Sequence, residues 1–195
     1  MAITTEDIKT LRTRTGLSVM DCKNALETAG GDMEKALIVL RKKSSAAAAK
    51  KSERTLGAGV VQAYIHASED VGAIVLLSCE TDFVARNQEF KDLAHDIAMH
   101  ATATNPEFVS RTQVTDADVA KARQLFEEEA KDKPADKREA IVEGKLNSYL
   151  EDKVLLEQPF IKDPSVTIQQ LVERATQKFG ERIELSDCTR LSVRG

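Results

Sequence analysis

The stretch Ala58-Gly59-Val60-Val61-Gln62-Ala63-Tyr64-Ile65-His66, then Ala67-Ser68-Glu69-Asp70, then Gly72-Ala73-Ile74-Val75-Leu76-Leu77-Ser78-Cys79 decides the fold class. Two β-rich runs flank a short polar turn, which predicts an antiparallel hairpin. The second run is almost wholly apolar and reads as a strand buried on both faces. On either side the pattern turns helical. The expected class is therefore α+β, with a small antiparallel sheet packed against helices.

Downstream, Glu80 to Asn87 lead into a helix running to about Thr104, with Phe90, Leu93, Ala94, Ile97, Ala98 and Ala101 on one face. Asn105-Pro106 ends it. Between about 113 and 153 the chain is charged and helical, broken at Lys133-Pro134. Val119, Ala122 and Phe126 stripe one arm, and Ile141, Leu146, Tyr149 and Leu150 the other, which predicts an antiparallel helical hairpin projecting into solvent. Val166 to Phe179 is a further amphipathic helix stopped by Gly180, and Ile183 to Val193 alternates as a last strand.

Upstream lie three short helices in residues 1–42. Thr4 or Thr5, Ser18 and Asp32 supply N-caps, and Gly16 and Gly30-Gly31 supply stops. Ile8 with Leu11, then Val19, Cys22, Leu26 and Ala29, then Met33, Ala36, Leu37 and Leu40 form the apolar faces of a three-helix bundle. Such a bundle has no room for a catalytic cleft and reads as an adaptor. Residues 43–55, with four consecutive alanines and no large apolar side chain, read as a basic linker, helical or partly ordered, that nothing pins to a core. Residues 56–195 form the α+β core.

The chain has 195 residues, a net charge of −4 and 4% aromatic residues, with no Trp. No run approaches the roughly 18 apolar residues of a membrane span, so a soluble protein is expected. Met1 to Glu6 lack a basic and an apolar region, and the three cysteines, Cys22, Cys79 and Cys188, are odd in number and far apart. A reducing cytoplasm and no disulfide framework are expected. The acidic balance counts against phosphate-backbone binding. The exception is Arg41-Lys42-Lys43 with Lys50-Lys51 and Arg54, six positive charges against Glu53. That run is either a solvated linker helix or a nucleic-acid contact, and a nucleic-acid adaptor is the runner-up function.

A catalytic constellation is not visible. There is no phosphate-binding loop, and Gly57-Ala58-Gly59 precedes a strand and lacks the third glycine of a dinucleotide motif. His95 and His100 are five apart and do not share a helix face, and no cysteine pair has metal-ligand spacing. A nucleophile elbow and a triad are missing. No enzyme activity, metal or cofactor is expected. Cys79 reads as an inert core thiol. Cys188 reads as a core thiol or an interface residue.

The sharpest local feature is Thr81-Asp82-Phe83-Val84. Thr81-Asp82 can cap the following helix. Phe83 either packs back on its own helix as a staple or stands out as an aromatic anchor beside a carboxylate.

Cys79-Glu80-Thr81-Asp82-Phe83-Val84-Ala85-Arg86-Asn87 is similar to a signature of the translation elongation factor Ts family. Leu11-Arg12-x-Arg14-Thr15-Gly16 with Met20-Asp21-Cys22-Lys23-x-Ala25-Leu26 and Gly31-Asp32 resembles that family's amino-terminal signature. Ile97-Ala98-Met99-His100, Pro106-Glu107-Phe108, Gln158-Pro159-Phe160 and Asp163-Pro164 resemble its later segments. The resemblance implies a guanine-nucleotide exchange factor, not an enzyme, whose partner is elongation factor Tu. The bundle would be of the ubiquitin-associated type and dock on the partner's GTPase domain through Arg12 and Met20. Val19 departs from the larger residue often found beside that Met. Asp82 and Phe83, flanked by Thr81 and Val84, match the pair that intrudes near the partner's magnesium site. Long members carry two core halves. This chain fuses the first half's hairpin to the later half's helices, which leaves a sheet edge or face open and implies a homodimer and a two-to-two complex. Neither direct nucleic-acid nor membrane contact is implied.

Overall fold

Thr4 begins the first helix: its hydroxyl accepts the Asp7 N–H at 3.1 Å while Asp7 returns to the Thr4 N–H at 2.9 Å, a reciprocal cap. The computed structural model describes residues 3–194. Helix α1 (Thr5–Thr15) ends at Gly16 in the left-handed conformation. Ser18 caps α2 (Val19–Thr28) and Asp32 caps α3 (Met33–Ala49). Leu11, Leu17, Cys22, Ala25, Leu26, Ala36, Leu37 and Leu40 make a small core between them. Val19, expected on the inner face of α2, is instead half exposed. It sits in the first turn, one residue past the cap, where the inward direction is taken by Cys22 and Ala25.

The Ala-rich segment is not loose. Helix α3 runs through it to Ala49, and Ser44 is fully buried. The Ser44 and Ser45 hydroxyls donate to Gln177 and Glu173 of α8 (Ile168–Phe179). Small side chains that cannot form a core of their own let the two helices approach closely.

Strands β1 (Ala58–Ile65) and β2 (Val71–Cys79) pair in the expected hairpin, from Ala58 opposite Cys79 to Ile65 opposite Gly72. Strand β5 (Glu184–Ser192) joins the other edge of β2, giving the order β1-β2-β5 with a bulge between Leu76 and Leu77. At Gly59 a Cβ would lie 2.6 Å from the Leu77 carbonyl oxygen, so only glycine allows the strands to approach this closely.

One face of the sheet carries Ala73, Val75, Leu77 and Cys79 onto α5 (Gln88–Thr104), whose Phe90, Ala94, Ile97, Ala98 and Ala101 are fully buried. The other face is largely open among the described residues. Val61, Ile65, Ile74 and Leu191 are exposed on it, Ile65 and Leu191 by about 70%, and Ile65, Ile74 and Leu191 border a shallow groove of about 410 Å³. The expectation that β2 is buried on both faces is thus met on one only. Near the hairpin turn Ile74 is left exposed, whereas towards the other end of β2 Leu76 is half-buried and Ser78 buried.

Helices α6 (Asp116–Glu129) and α7 (Ala135–Lys153) form the helical hairpin. Ala122, Leu146 and Leu150 are its buried seam, and Phe126 meets Tyr149 edge-on at 5.9 Å. Val142 rather than Ile141 takes the buried position on α7. The short strands β3 (Pro159–Phe160) and β4 (Asp163–Thr167) return the chain to α8, which Thr167 caps and Gly180 ends.

Buried beneath β3 is a polar knot. His100 donates from Nε2 to Gln158 Oε1 at 2.9 Å, and its Nδ1 accepts the Ile161 N–H at 3.3 Å. Gln158 Oε1 also accepts the Thr104 hydroxyl at 2.8 Å. Both ring nitrogens are occupied by the neutral form, and burial pushes the His100 pKa down.

Candidate functional site

The turn after β2 forms because α4 (Asp82–Ala85) is a single helical turn with two inward and two outward positions. Val84 and Ala85 enter the main core, Val84 at 3% exposure. That leaves Asp82 and Phe83 outside. Phe83 is 85% exposed, which rules out the staple reading. Burying a Phe side chain is worth roughly 1.5–3 kcal/mol, so an outward Phe in a chain with only six of them has the character of a contact residue. Asp82 lies beside it, and its carboxylate accepts from Arg86 Nη2 at 3.3 Å across one exposed turn. Val84, expected as a contact, serves instead as the anchor under the turn.

Thr81 stands at the cap position, yet its side chain does not cap α4. Its hydroxyl donates to Glu181 Oε1 at 2.6 Å, and the N–H groups of Thr81 and Glu80 donate to Glu181 Oε2 at 3.0 and 3.1 Å. Glu80 in turn accepts the Arg182 N–H at 2.5 Å and Arg54 Nη1 at 3.2 Å. The Arg182 bond, with Arg54's help, holds the Glu80 carboxyl below its usual pKa. The Cys79 thiol donates to the Thr81 carbonyl at 3.3 Å, and burial raises its pKa, so it stays a thiol. Three segments far apart in the chain thus clamp the base of the turn. Sequence reasoning missed Glu181, because no local pattern ties residue 181 to residue 81.

Arg12 and Met20 are both exposed on the first three helices. Arg12 and Val19 line a groove of about 350 Å³ with Leu17, Gln177 and Lys178. Lys178 then pairs with Glu89 in the first turn of α5. No hydrogen bond or ion pair joins Arg12 or Met20 to residues 81–84 among the described residues. The Lys178–Glu89 bridge joins that groove to α5, the helix that follows the turn.

Half of the basic run is occupied internally. Arg41 donates to the Ser165 carbonyl, Lys43 pairs with Asp21, and Arg54 pairs with Glu80. Among the described residues no group of three or more His, Cys, Asp or Glu side chains could hold a metal ion, and no helix is long and apolar enough to cross a membrane. All three cysteines are free. Cys188 packs against the main core, and burial raises its pKa to about 11.

Residues 22–194 match the family model described as elongation factor TS. The chain is 44% identical over 194 residues to an elongation factor Ts of Thermodesulfovibrio yellowstonii, covering 99% of this chain and 97% of that one. It is 45% identical over 195 residues to an elongation factor Ts of Fervidobacterium nodosum, covering 99% of each. An elongation factor Ts of Carboxydothermus hydrogenoformans is 46% identical over 193 residues, 98% of this chain and 89% of that one.

Proposed function

The chain belongs to the elongation factor Ts family, and from that premise we propose that it is a guanine-nucleotide exchange factor for elongation factor Tu. It accelerates GDP release in the cytoplasm by placing Phe83 and Asp82 against the helices around the partner's magnesium and nucleotide site. The observation that supports this most is the 85% exposure of Phe83 on a turn clamped from below.

Magnesium and phosphate contacts hold a nucleotide only while the ligand geometry is kept. A rigid apolar wedge that shifts the surrounding helices weakens that coordination, and with it the GDP. By linkage, bound nucleotide weakens binding of the wedge by the same factor. Exchange is then mutual displacement and needs no acid, base, nucleophile or cofactor from this chain.

The first three helices act in this reading as an adaptor of the ubiquitin-associated type, docking on the partner's GTPase domain through Arg12 and Met20. The open sheet face supports a homodimer and hence a two-to-two complex. Its exposed Val61, Ile65, Ile74 and Leu191 are the residues a second copy would cover. Direct nucleic-acid contact is not part of this reading, since Arg41, Lys43 and Arg54 already have partners within the chain.

The test is release of fluorescent GDP from elongation factor Tu. Wild-type chain accelerates it, whereas Phe83→Ala and Asp82→Ala lower the maximal rate at least about tenfold. Equal acceleration by both variants would remove the wedge assignment.

A further inference from the structure

Three guanidinium groups converge where the first three helices meet the rest of the molecule. Arg14 of α1, Arg41 of α3 and Arg174 of α8 line a crevice of about 110 Å³ together with Leu37, Asp163 and Ser165. That space is several times what a single water requires, about 10–15 Å³.

Their donors are only partly used. Arg41 Nη2 donates to the Ser165 carbonyl at 2.7 Å, but its Nε is buried with no acceptor among the described residues. Arg14 Nη1 donates to Glu34 Oε1 at 3.1 Å. Arg174 is partly buried and has no hydrogen-bonded or ion-paired partner among the described residues. Burial, followed by the charge of Arg41, pulls its pKa below the ordinary arginine value, yet a guanidinium in a protein keeps its proton.

Asp163 is the only carboxylate on the crevice lining. It is already engaged by the Ser165 N–H at 3.1 Å and hydroxyl at 2.6 Å. Three cations against one anion leave the lining with a charge of +2.

We propose that this crevice binds a tetrahedral oxyanion, a phosphate group either free or carried on a small molecule, and that the bound anion ties α1 and α3 to α8 and β4. Planar guanidinium forks approaching from three elements match the oxygens of a phosphate. A dianion balances the lining charge and gives the Arg41 Nε and the Arg174 fork the acceptors they lack. Asp163 limits the affinity and keeps the anion on the arginine side.

The experiment is thermal unfolding of the full chain in inorganic phosphate against chloride at matched ionic strength and neutral pH. Phosphate is expected to raise the Tm saturably. Arg174→Gln weakens the apparent phosphate affinity at least about tenfold, and the exposed Arg14→Gln weakens it without threatening the fold. Asp163→Asn, which keeps an oxygen for Ser165, strengthens it. A nucleoside monophosphate arm identifies the source, tighter binding pointing to a phosphate ester and weaker binding to free phosphate. Equal Tm values in phosphate and chloride, or Arg14→Gln and Arg174→Gln responding as wild type does, would overturn the proposal. So would a weaker response of Asp163→Asn, because Asp163 would then be the natural partner of Arg174.

Discussion

Glu181 receives the Thr81 N–H at 3.0 Å and the Thr81 hydroxyl at 2.6 Å, so one carboxylate just past α8 grips the residue preceding Asp82 and Phe83. A charge-assisted hydrogen bond is worth about 1.5–3 kcal/mol, and Glu181 accepts three when the Glu80 N–H is included. The exposed pair is therefore carried on a braced support, which the proposed wedge action requires.

Glu181→Ala removes all three acceptors and frees the turn without touching Phe83. The expected result is a maximal GDP-release rate at least about tenfold lower, with the half-saturating concentration changed far less, since the contacts of the first three helices persist. Equilibrium unfolding should show a loss of about 2 kcal/mol. A concentration series of the exchange reaction separates the two effects, and an unchanged maximal rate would mean that the brace is irrelevant to exchange.

The His100 knot makes stability pH-dependent. Its ordinary value is 6.5, and burial lowers it in the folded chain. The unfolded state therefore binds the proton first as pH falls, so the stabilising contribution is complete above about 6.5 and is lost on going down towards the folded value. The slope from this one group cannot exceed about 1.4 kcal/mol per pH unit. Urea titrations between about pH 7.5 and 5 should show His100→Gln less stable than wild type at the upper end, with the gap closing as pH drops. A constant gap would deny the linkage.

Leu191→Lys places a charge on the open sheet face, near the end of the edge strand β5. Leu191 is 70% exposed in the single chain, so monomer stability should change by no more than about 0.5 kcal/mol. Dimer dissociation, followed by sedimentation velocity over a dilution series, should shift at least tenfold towards monomer. A wild-type chain that is monomeric throughout would sink the dimer itself.

Gly59→Ala forces a Cβ to within 2.6 Å of the Leu77 carbonyl oxygen and 3.0 Å of the Ser78 Cα. Both are backbone atoms, so no side chain can swing aside. Strands β1 and β2 must separate, and the expected cost is at least about 2 kcal/mol, seen as a lower urea midpoint. Gly30, which has open space around the position of a Cβ, marks the contrast. There the strain comes only from its positive φ of 64°.

What the residues disclosed in advance was local. Thr4, Ser18 and Asp32 cap helices by bonds to N–H groups three residues on, and Gly16 and Gly180 end helices by adopting a conformation other residues resist. Such rules need only a few neighbouring positions. Failures arose where the deciding partner lay elsewhere. Residues 43–49 have no large apolar side chain, so their packing became visible only with Gln177 and Glu173 facing Ser44 and Ser45. Phe83 has the same local pattern whether it staples or protrudes, and the outcome depended on Val84 taking the inward place. The apolar run in β2 shows that both faces repel water, but not whether this chain supplies both covers.

The strand order β1-β2-β5 has a temporal meaning. During synthesis β2 emerges with only β1 for a neighbour, and its other edge waits for residues 184–192. The brace at residue 181 arrives just before β5. A chain synthesised no further than residue 180 holds Phe83 on an unbraced turn, however well its first helices have folded. Residues 181–192 thus complete both the sheet and the support beneath Phe83.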